Sequence, residues 1–157
     1  MRYLIILVFF VVAQCGFTPM YKLESGGVGL DQLSIQFIGE VENEIKEELE
    51  NIIGTNQADT SYIVSVEVKK DQLPIIINEN GTVSKYQIDI ALFFQVKNNL
   101  DEVILESVSV GFAQYDVLTS EIDNEDLEEQ MFRSATNDAA SLMITKIQSK
   151  LSLINDN

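Results

Sequence analysis

The chain lacks histidine and holds a single cysteine, and these two scarcities exclude several kinds of site. Without histidine there is no imidazole to bind a metal or to act as a general base, and one cysteine cannot form a disulfide within the chain. Basic residues are also few, because 10 lysines and arginines stand against 25 acidic residues, for a net charge of −15. That charge argues against binding to nucleic acid or to an anionic membrane surface through general electrostatic attraction.

Proline and glycine are scarce as well, with two prolines and eight glycines in 157 residues, of which 46% are hydrophobic. This composition excludes a disordered or low-complexity chain and fits one domain with one core. We expect no catalytic site and no metal site. Cys15 has no histidine to activate it, and the glycines at 26–29 lack the lysine and the strand-to-helix context of a phosphate loop.

The N-terminal segment predicts a secretory signal peptide at residues 1–14. Tyr3–Ala13 is an unbroken apolar run of 11 residues behind Arg2, which is short of the roughly 20 residues that a membrane-spanning helix needs. A charged start, a short apolar run and then small residues form the layout of a signal. The alternative is a buried strand or core helix, which is rarely apolar for so long without turn signals.

The only cysteine comes directly after this run, in the sequence Val12-Ala13-Gln14-Cys15. It resembles the signal of bacterial lipoproteins, in which the chain is cut before the cysteine and the cysteine is acylated. The resemblance implies a covalent lipid on Cys15, with no other cofactor; the alternative is a free cysteine in a secreted protein. We expect residues 15–31 to form a lipidated tether, because the part from residue 17 onward holds one proline and three glycines. Residues 32–157 are left as a single domain.

The spacing of apolar residues predicts an α+β fold. Alternation of apolar and polar residues predicts strands at 33–37, 62–77, 86–96 and 103–112. A period of 3.6 residues predicts amphipathic helices at 41–53 and about 124–153. The order β-α-β-β-β-α favours a two-layer sandwich, with two helices packed on one face of a four-stranded, mostly antiparallel sheet.

Several local features refine this prediction. Pro74 indicates a sheet edge or a bulge, and Asn80-Gly81 a tight turn. The apolar residues of the last strand change parity near Glu106-Ser107, which predicts a bulge there and puts Val108, Val110 and Phe112 on its apolar face. Asp123 is the expected cap of the last helix.

The order of these segments, together with short motifs, resembles the LptE family of lipopolysaccharide-assembly lipoproteins. The opening Cys15–Tyr21 (CGFTPMY) is similar to the start of the mature family members. The strand ending in Lys69-Lys70 and the long strand starting at Tyr86 follow in the family's order. The segment from Phe132 to Leu151 is similar to the family's last helix. The resemblance spans essentially the whole chain after the signal.

This resemblance implies a lipid-anchored protein on the periplasmic side of the outer membrane that catalyses no reaction. It would plug and help assemble the translocon barrel, LptD, which delivers lipopolysaccharide to the outer leaflet. Because lipopolysaccharide is anionic, the candidate contact residues are Lys69, Lys70, Lys85 and Lys97; the alternative is that these lysines are dispersed and only solubilise the domain. A second function stays open, namely an accessory lipoprotein or lipid-binding module of another envelope transport machine. A lipid carrier needs an apolar cavity between helices and sheet, whereas a plug needs a packed core.

Overall fold

The computed structural model describes residues 32–53 and 60–155. The expected signal peptide, the tether and Cys15 therefore lie outside the described residues, as does Gly54, which directly follows the first helix. The described ranges contain six helices and strands. They are β1 (Leu33–Ile38), α1 (Asn43–Ile53), β2 (Tyr62–Ile77), β3 (Val83–Asn98), β4 (Val103–Asp116) and α2 (Glu121–Asn155). Their order confirms the predicted β-α-β-β-β-α succession and the α+β class.

The four strands form one open sheet in the order β1-β2-β3-β4. β1 pairs with β2 in parallel, while β2–β3 and β3–β4 are antiparallel. A parallel pair needs a crossover connection between its strands, and α1 lies within that connection. Leu33 pairs with Tyr62, and Tyr62 pairs with Asn98. The start of β1 therefore lies at the end of the sheet that carries the β3–β4 turn.

Both helices pack on one face of the sheet and enclose the core. The central strand β3 contributes the largest apolar row, and each helix supplies one stripe. Its buried members include Ile88, Ile90, Leu92, Phe94 and Val96 from β3, Ile45, Leu49 and Ile53 from α1, and Ala135, Ala139, Met143, Ile147 and Leu151 from α2. Each large apolar side chain buried in this way stabilises the fold by roughly 1.5–3 kcal/mol.

The long helix α2 lies unusually close to β4. The residues of β4 that face it are small, namely Ser109, Gly111 and Ala113. A Cβ added at Gly111 would collide with the carbonyl oxygen of Ala135 and would lie 2.5 Å from the backbone nitrogen of Ala139. Glycine is required there because backbone meets backbone. The contact leaves no room for a ligand between helix and strand at this level.

The prediction of a bulge near Glu106-Ser107 was wrong. The register of β3 against β4 is regular from Asp116 back to Leu105 and shifts only beyond it, where Ile104 is left without a partner. Val108, Val110 and Phe112 consequently point to the open face of the sheet, away from the helices. The small residues between them form the helix-facing row, because α2 approaches too closely to admit large side chains there.

Two local features were predicted correctly and one was not. The register shifts around Ile75–Ile76 directly after Pro74 confirm the bulge, and Gly81, with φ of +84°, closes the predicted turn by donating its N–H to the Asn78 carbonyl. The cap of α2, however, is Ser120 instead of Asp123. The Asp123 N–H donates to the Ser120 hydroxyl at 3.3 Å, so Asp123 lies one turn inside.

Candidate functional site

The four candidate lysines do not form one basic patch. Lys69, Lys85 and Lys97 lie on the open face, whereas Lys70 lies on the helix-facing side. Lys97 and Lys85 are near opposite ends of β3, 12 residues apart in the strand, which corresponds to about 40 Å. Lys69 is opposite Ala91, near the middle.

Each of these lysines has a carboxylate neighbour. The ammonium nitrogens of Lys85 and Lys97 lie 3.0 Å from Asp116 and 2.8 Å from Asp101, and that of Lys69 lies 3.8 Å from Glu67. Lys69 also lies 4.7 Å from the ring centre of Phe93. Exposed pairs of this kind contribute little stability, but they reduce the positive potential that an anionic ligand would meet.

Lys70 belongs to a groove between the two helices. Its ammonium lies 2.8 Å and 3.0 Å from the two carboxylate oxygens of Glu42 and 3.6 Å from the ring centre of Phe132. The groove has a volume of about 510 Å³, and its other lining residues include Glu44, Glu125, Glu128, Glu129 and Arg133. Five of the lining side chains are glutamates, so the groove disfavours phosphate-bearing ligands.

A buried tyrosine lies near this groove and links the sheet to α2. Gln72 donates its amide N–H to the Tyr115 hydroxyl at 2.6 Å, and that hydroxyl donates to Glu128 at 3.0 Å. The Tyr115 ring stacks on Tyr86, with ring centres 5.7 Å apart. Burial, followed by the Glu128 carboxylate, raises the pKa of Tyr115 to about 12. The phenol therefore stays protonated at neutral pH and acts as a structural donor.

Among the described residues, no group of three histidine, cysteine, aspartate or glutamate side chains is placed to hold a metal ion. The carboxylates around the groove have cationic, amide or phenol partners in several cases, such as Arg133 with Glu129 at 2.7 Å and Asn137 with Glu48 at 2.7 Å. The first contact lies within α2, the second joins α2 to α1, and the bond from Tyr115 to Glu128 joins α2 to the sheet. The prominent features of the surface are instead apolar.

The first apolar feature is a row of side chains on the open face of the sheet. Val108, Val110 and Phe112 on β4 are 37%, 50% and 61% exposed, and Phe93, opposite Val108 on β3, is also exposed. We call these four residues the open-face row. The remainder of the face is largely polar or charged, so the row stands out as a strip along one side.

The second feature is an apolar patch at the end of the sheet opposite the start of β1. It contains large exposed side chains from the β2–β3 hairpin and from the segment after β4. These are Leu73, Ile75, Ile76, Ile77, Val117 and Leu118, and we call them the distal patch. The Val117 N–H donates to the Ser84 carbonyl, and the Ser84 hydroxyl donates to the Ile76 carbonyl, which brings the two segments side by side. Large contiguous apolar patches mark interaction surfaces.

Sequence reasoning identified neither feature as a site. Three members of the open-face row, Val108, Val110 and Phe112, were assigned to the apolar face of their strand, and the run Leu73–Ile77 was interpreted only as a strand extension. One signal was present in the sequence: the isoleucines at 75, 76 and 77 are consecutive, and a strand with one covered face cannot bury all three. Within the described ranges, no helix is both long and apolar enough to span a bilayer.

Comparison with known proteins gives structural matches only. No protein-family model matches the chain, and no curated protein matches its sequence. Solved structures do match. Rare lipoprotein B from Shewanella oneidensis superposes with a TM-score of 0.59 at 13% identity, over 75% of this chain and 94% of that one.

Two further structures agree with this match. A lipoprotein from Caulobacter crescentus has a TM-score of 0.59 at 12% identity, over 79% of this chain and 90% of that one. The minor lipoprotein from Acinetobacter baumannii has a TM-score of 0.54 at 15% identity, over 80% and 93%. The chain has the fold of these lipoproteins. At such low identity, the likeness concerns the fold alone.

Proposed function

We propose that this chain is an outer-membrane lipoprotein, anchored by a lipid on Cys15, that plugs and helps assemble the lipopolysaccharide translocon barrel. The fold supports this proposal, because it matches rare lipoprotein B, a protein also called LptE. The sequence supports it independently, through the signal-like segment before Cys15 and the CGF opening.

The observation that carries the proposal is the distal patch. Its six exposed apolar side chains lie together at one end of the domain. The core lies between the helices and the sheet and is complete without them. A domain of this size with a charge of −15 does not need such a patch for its own folding. Covering the patch with a partner would recover the hydrophobic stabilisation that it lacks in the isolated domain. A plug surrounded by another protein meets that requirement.

The packing at Gly111 argues against the lipid-carrier alternative. A carrier would hold acyl chains between helices and sheet, but α2 contacts the β4 backbone directly at Ala135 and Ala139. The core side chains of β3 from Ile88 to Val96 are almost completely buried against the helices. These contacts favour a partner-binding role for the outer surface over ligand storage inside.

The test is recovery of the partner from membranes. We would tag the C-terminus after Asn157, extract outer membranes in mild detergent, and measure which proteins elute in stoichiometric amounts. We expect one large β-barrel protein per lipoprotein. Elution of the lipoprotein alone, or with periplasmic transport components, would overturn the plug role and favour the accessory-lipoprotein alternative.

Two substitutions make the test specific to the distal patch. Ile76→Lys places a charge within the patch, whereas Leu100→Lys places the same charge in the β3–β4 turn at the other end, where Leu100 is also exposed. We expect Ile76→Lys to lower the yield of barrel and Leu100→Lys to leave it unchanged. Equal yields from the two variants would show that the distal patch is not the docking surface. Cys15→Ser tests the anchor separately, since it should release the protein from the membrane.

A further inference from the structure

The edge strand β4 has a row of backbone groups along its outer side that are largely unpaired within residues 32–53 and 60–155. In an antiparallel pair, alternate residues direct both N–H and C=O towards the partner strand, and the residues between them direct both outward. The Val117 N–H donates to the Ser84 carbonyl of β3, so the backbone groups of Val117 face β3. The Lys146 ammonium reaches the Val108 carbonyl at 2.5 Å, so that carbonyl faces outward. These two bonds place the outward groups on Val108, Val110, Phe112 and Gln114. Of these outward groups, only the Val108 carbonyl has a hydrogen-bond partner among the described residues.

The same residues carry the exposed side chains of the open-face row. Val110 and Phe112 therefore combine an exposed apolar side chain with outward backbone groups that no described residue pairs. On the helix side, Leu142 of α2 is also exposed, one turn before Lys146, which reaches the Val108 carbonyl. An extended segment lying along β4 would gain main-chain hydrogen bonds and apolar contacts on both sides, which is the pattern of strand addition.

The edge also lacks the features that normally prevent pairing. The stretch from Ser107 to Tyr115 (SVSVGFAQY) has no charged residue and no proline. The opposite edge of the sheet differs, since it consists of β1, which has only six residues, and of the part of β2 beyond β1, which carries Lys69, Lys70, Asp71 and Pro74 together with a bulge. Short edge strands are less open to pairing. Charges, proline and bulges are the usual protection of sheet edges. One edge of this sheet is protected and the other is not.

A second copy of this chain does not fit the edge. The helix α2 lies directly on β4 at Gly111, and paired strands lie about 4.8 Å apart whereas packed helices need 8–10 Å. Two copies joined edge to edge would force their α2 helices together. The partner must therefore be an extended segment that carries no helix on that side.

The charges at the two ends of the edge define the segment further. Glu106 and Asp116 flank the uncharged stretch and lie on the open face, where Asp116 already pairs with Lys85 at 3.0 Å. A segment with a basic residue at the end that meets Glu106 and uncharged residues beyond it would match this edge. Its residues on the helix side should be small, because α2 overhangs the strand.

We propose that the outer edge of β4 is a strand-addition site for an extended, uncharged segment of a partner protein, with a basic residue at the end that meets Glu106. The site is separate from the distal patch and does not depend on the translocon role. The addition would extend the sheet to five strands. Val110 and Phe112 would lie at the centre of the pairing between β4 and the added segment.

The test uses amide hydrogen exchange of the full chain in mild detergent, with a synthetic peptide of sequence KTVSVSVTK as the probe. In the free chain, the outward amides of Val110, Phe112 and Gln114 should exchange quickly and those of Ser109 and Ala113 slowly. We expect saturating peptide to slow the outward amides by on the order of tenfold or more.

Two controls separate strand addition from apolar adhesion. Peptide N-methylated at alternate residues keeps the side chains but loses the donors and should give no protection. In the chain, Val110→Pro removes one outward N–H at an edge position that tolerates proline and should abolish binding, whereas Val110→Thr retains that N–H and should bind. Absence of protection at millimolar peptide, or equal protection by the N-methylated peptide, would overturn the proposal.

Discussion

Replacing Gly111 with alanine tests the seating of α2 on the sheet. The new Cβ would meet the Ala135 carbonyl oxygen, the Ala139 nitrogen at 2.5 Å and the Asp138 Cβ at 3.0 Å. Two of these atoms belong to the backbone of a long helix and cannot rotate away. The helix must therefore shift as a unit, which loosens its buried contacts with β3 and β4.

The expected cost follows from these contacts. Overpacking a core costs 1–3 kcal/mol where side chains can adjust, so we expect about 3 kcal/mol or more where backbone must move. Against a typical net stability of 5–15 kcal/mol, this is a large loss. It corresponds to a decrease in Tm of about 6–12 °C for a domain of this size.

The assay is urea unfolding followed by circular dichroism, with Gly81→Ala as the matched control. Gly81 has φ of +84° and open space around its Cβ position, so that substitution should cost only about 1 kcal/mol of backbone strain. Adding Ala135→Gly to Gly111→Ala should not restore stability, because the collision is with the Ala135 backbone. A Gly111→Ala protein within about 0.5 kcal/mol of the parent, which is the range of an ordinary surface substitution, would refute the close contact of α2 and β4.

Three further outcomes are expected. The buried Ser109 hydroxyl has no hydrogen-bond partner in the described part of the chain, so Ser109→Ala should leave the unfolding free energy unchanged or raise it; a clear loss in urea unfolding would contradict this. The pKa of Tyr115 is raised from 10.0 to about 12 in the folded protein, so its contribution to the free energy of unfolding is full below pH 10 and is lost as the pH rises towards 12. In a series of Tm measurements against pH, Tyr115→Phe should flatten that decline. An unchanged slope would contradict this role of Tyr115. Finally, the four candidate lysines, Lys69, Lys70, Lys85 and Lys97, can be replaced with glutamine. These replacements should not weaken binding of labelled lipopolysaccharide to the purified protein, and a severalfold loss of binding would show that the lysines are a contact site after all.

The pattern of the sequence was sufficient for the elements and their order. Amphipathic periods locate both helices, and the strict alternation of β3 from Tyr86 to Val96 predicted its buried face correctly. The pattern failed on β4 because apolar residues were assumed to face the core. There the close approach of α2 reserves the core side for Ser109 and Gly111, and the larger residues are left on the open face. That preference comes from the packing of a distant helix, so the strand's own sequence does not contain it.

The neighbours of the candidate lysines could not be predicted from the local sequence pattern either. Lys70 meets Glu42, which precedes it by 28 residues, and Phe132, which follows on another element. Lys85 meets Asp116 across two strands. Alternation places a side chain on a face, but the neighbours that neutralise its charge depend on the register between strands and the position of each helix.

The parallel pairing of β1 with β2 fixes the distance between the point where the chain enters the sheet and the distal patch. The chain joins the sheet at Leu33, beside Tyr62, and the Ile76 side of the distal patch lies 14 residues further along β2, or about 45 Å at the rise of a strand. Lengthening or shortening residues 15–31 would change where the domain can sit relative to Cys15 but not this internal span. Any partner that binds the distal patch must therefore reach a point one full sheet length from where the polypeptide enters the fold.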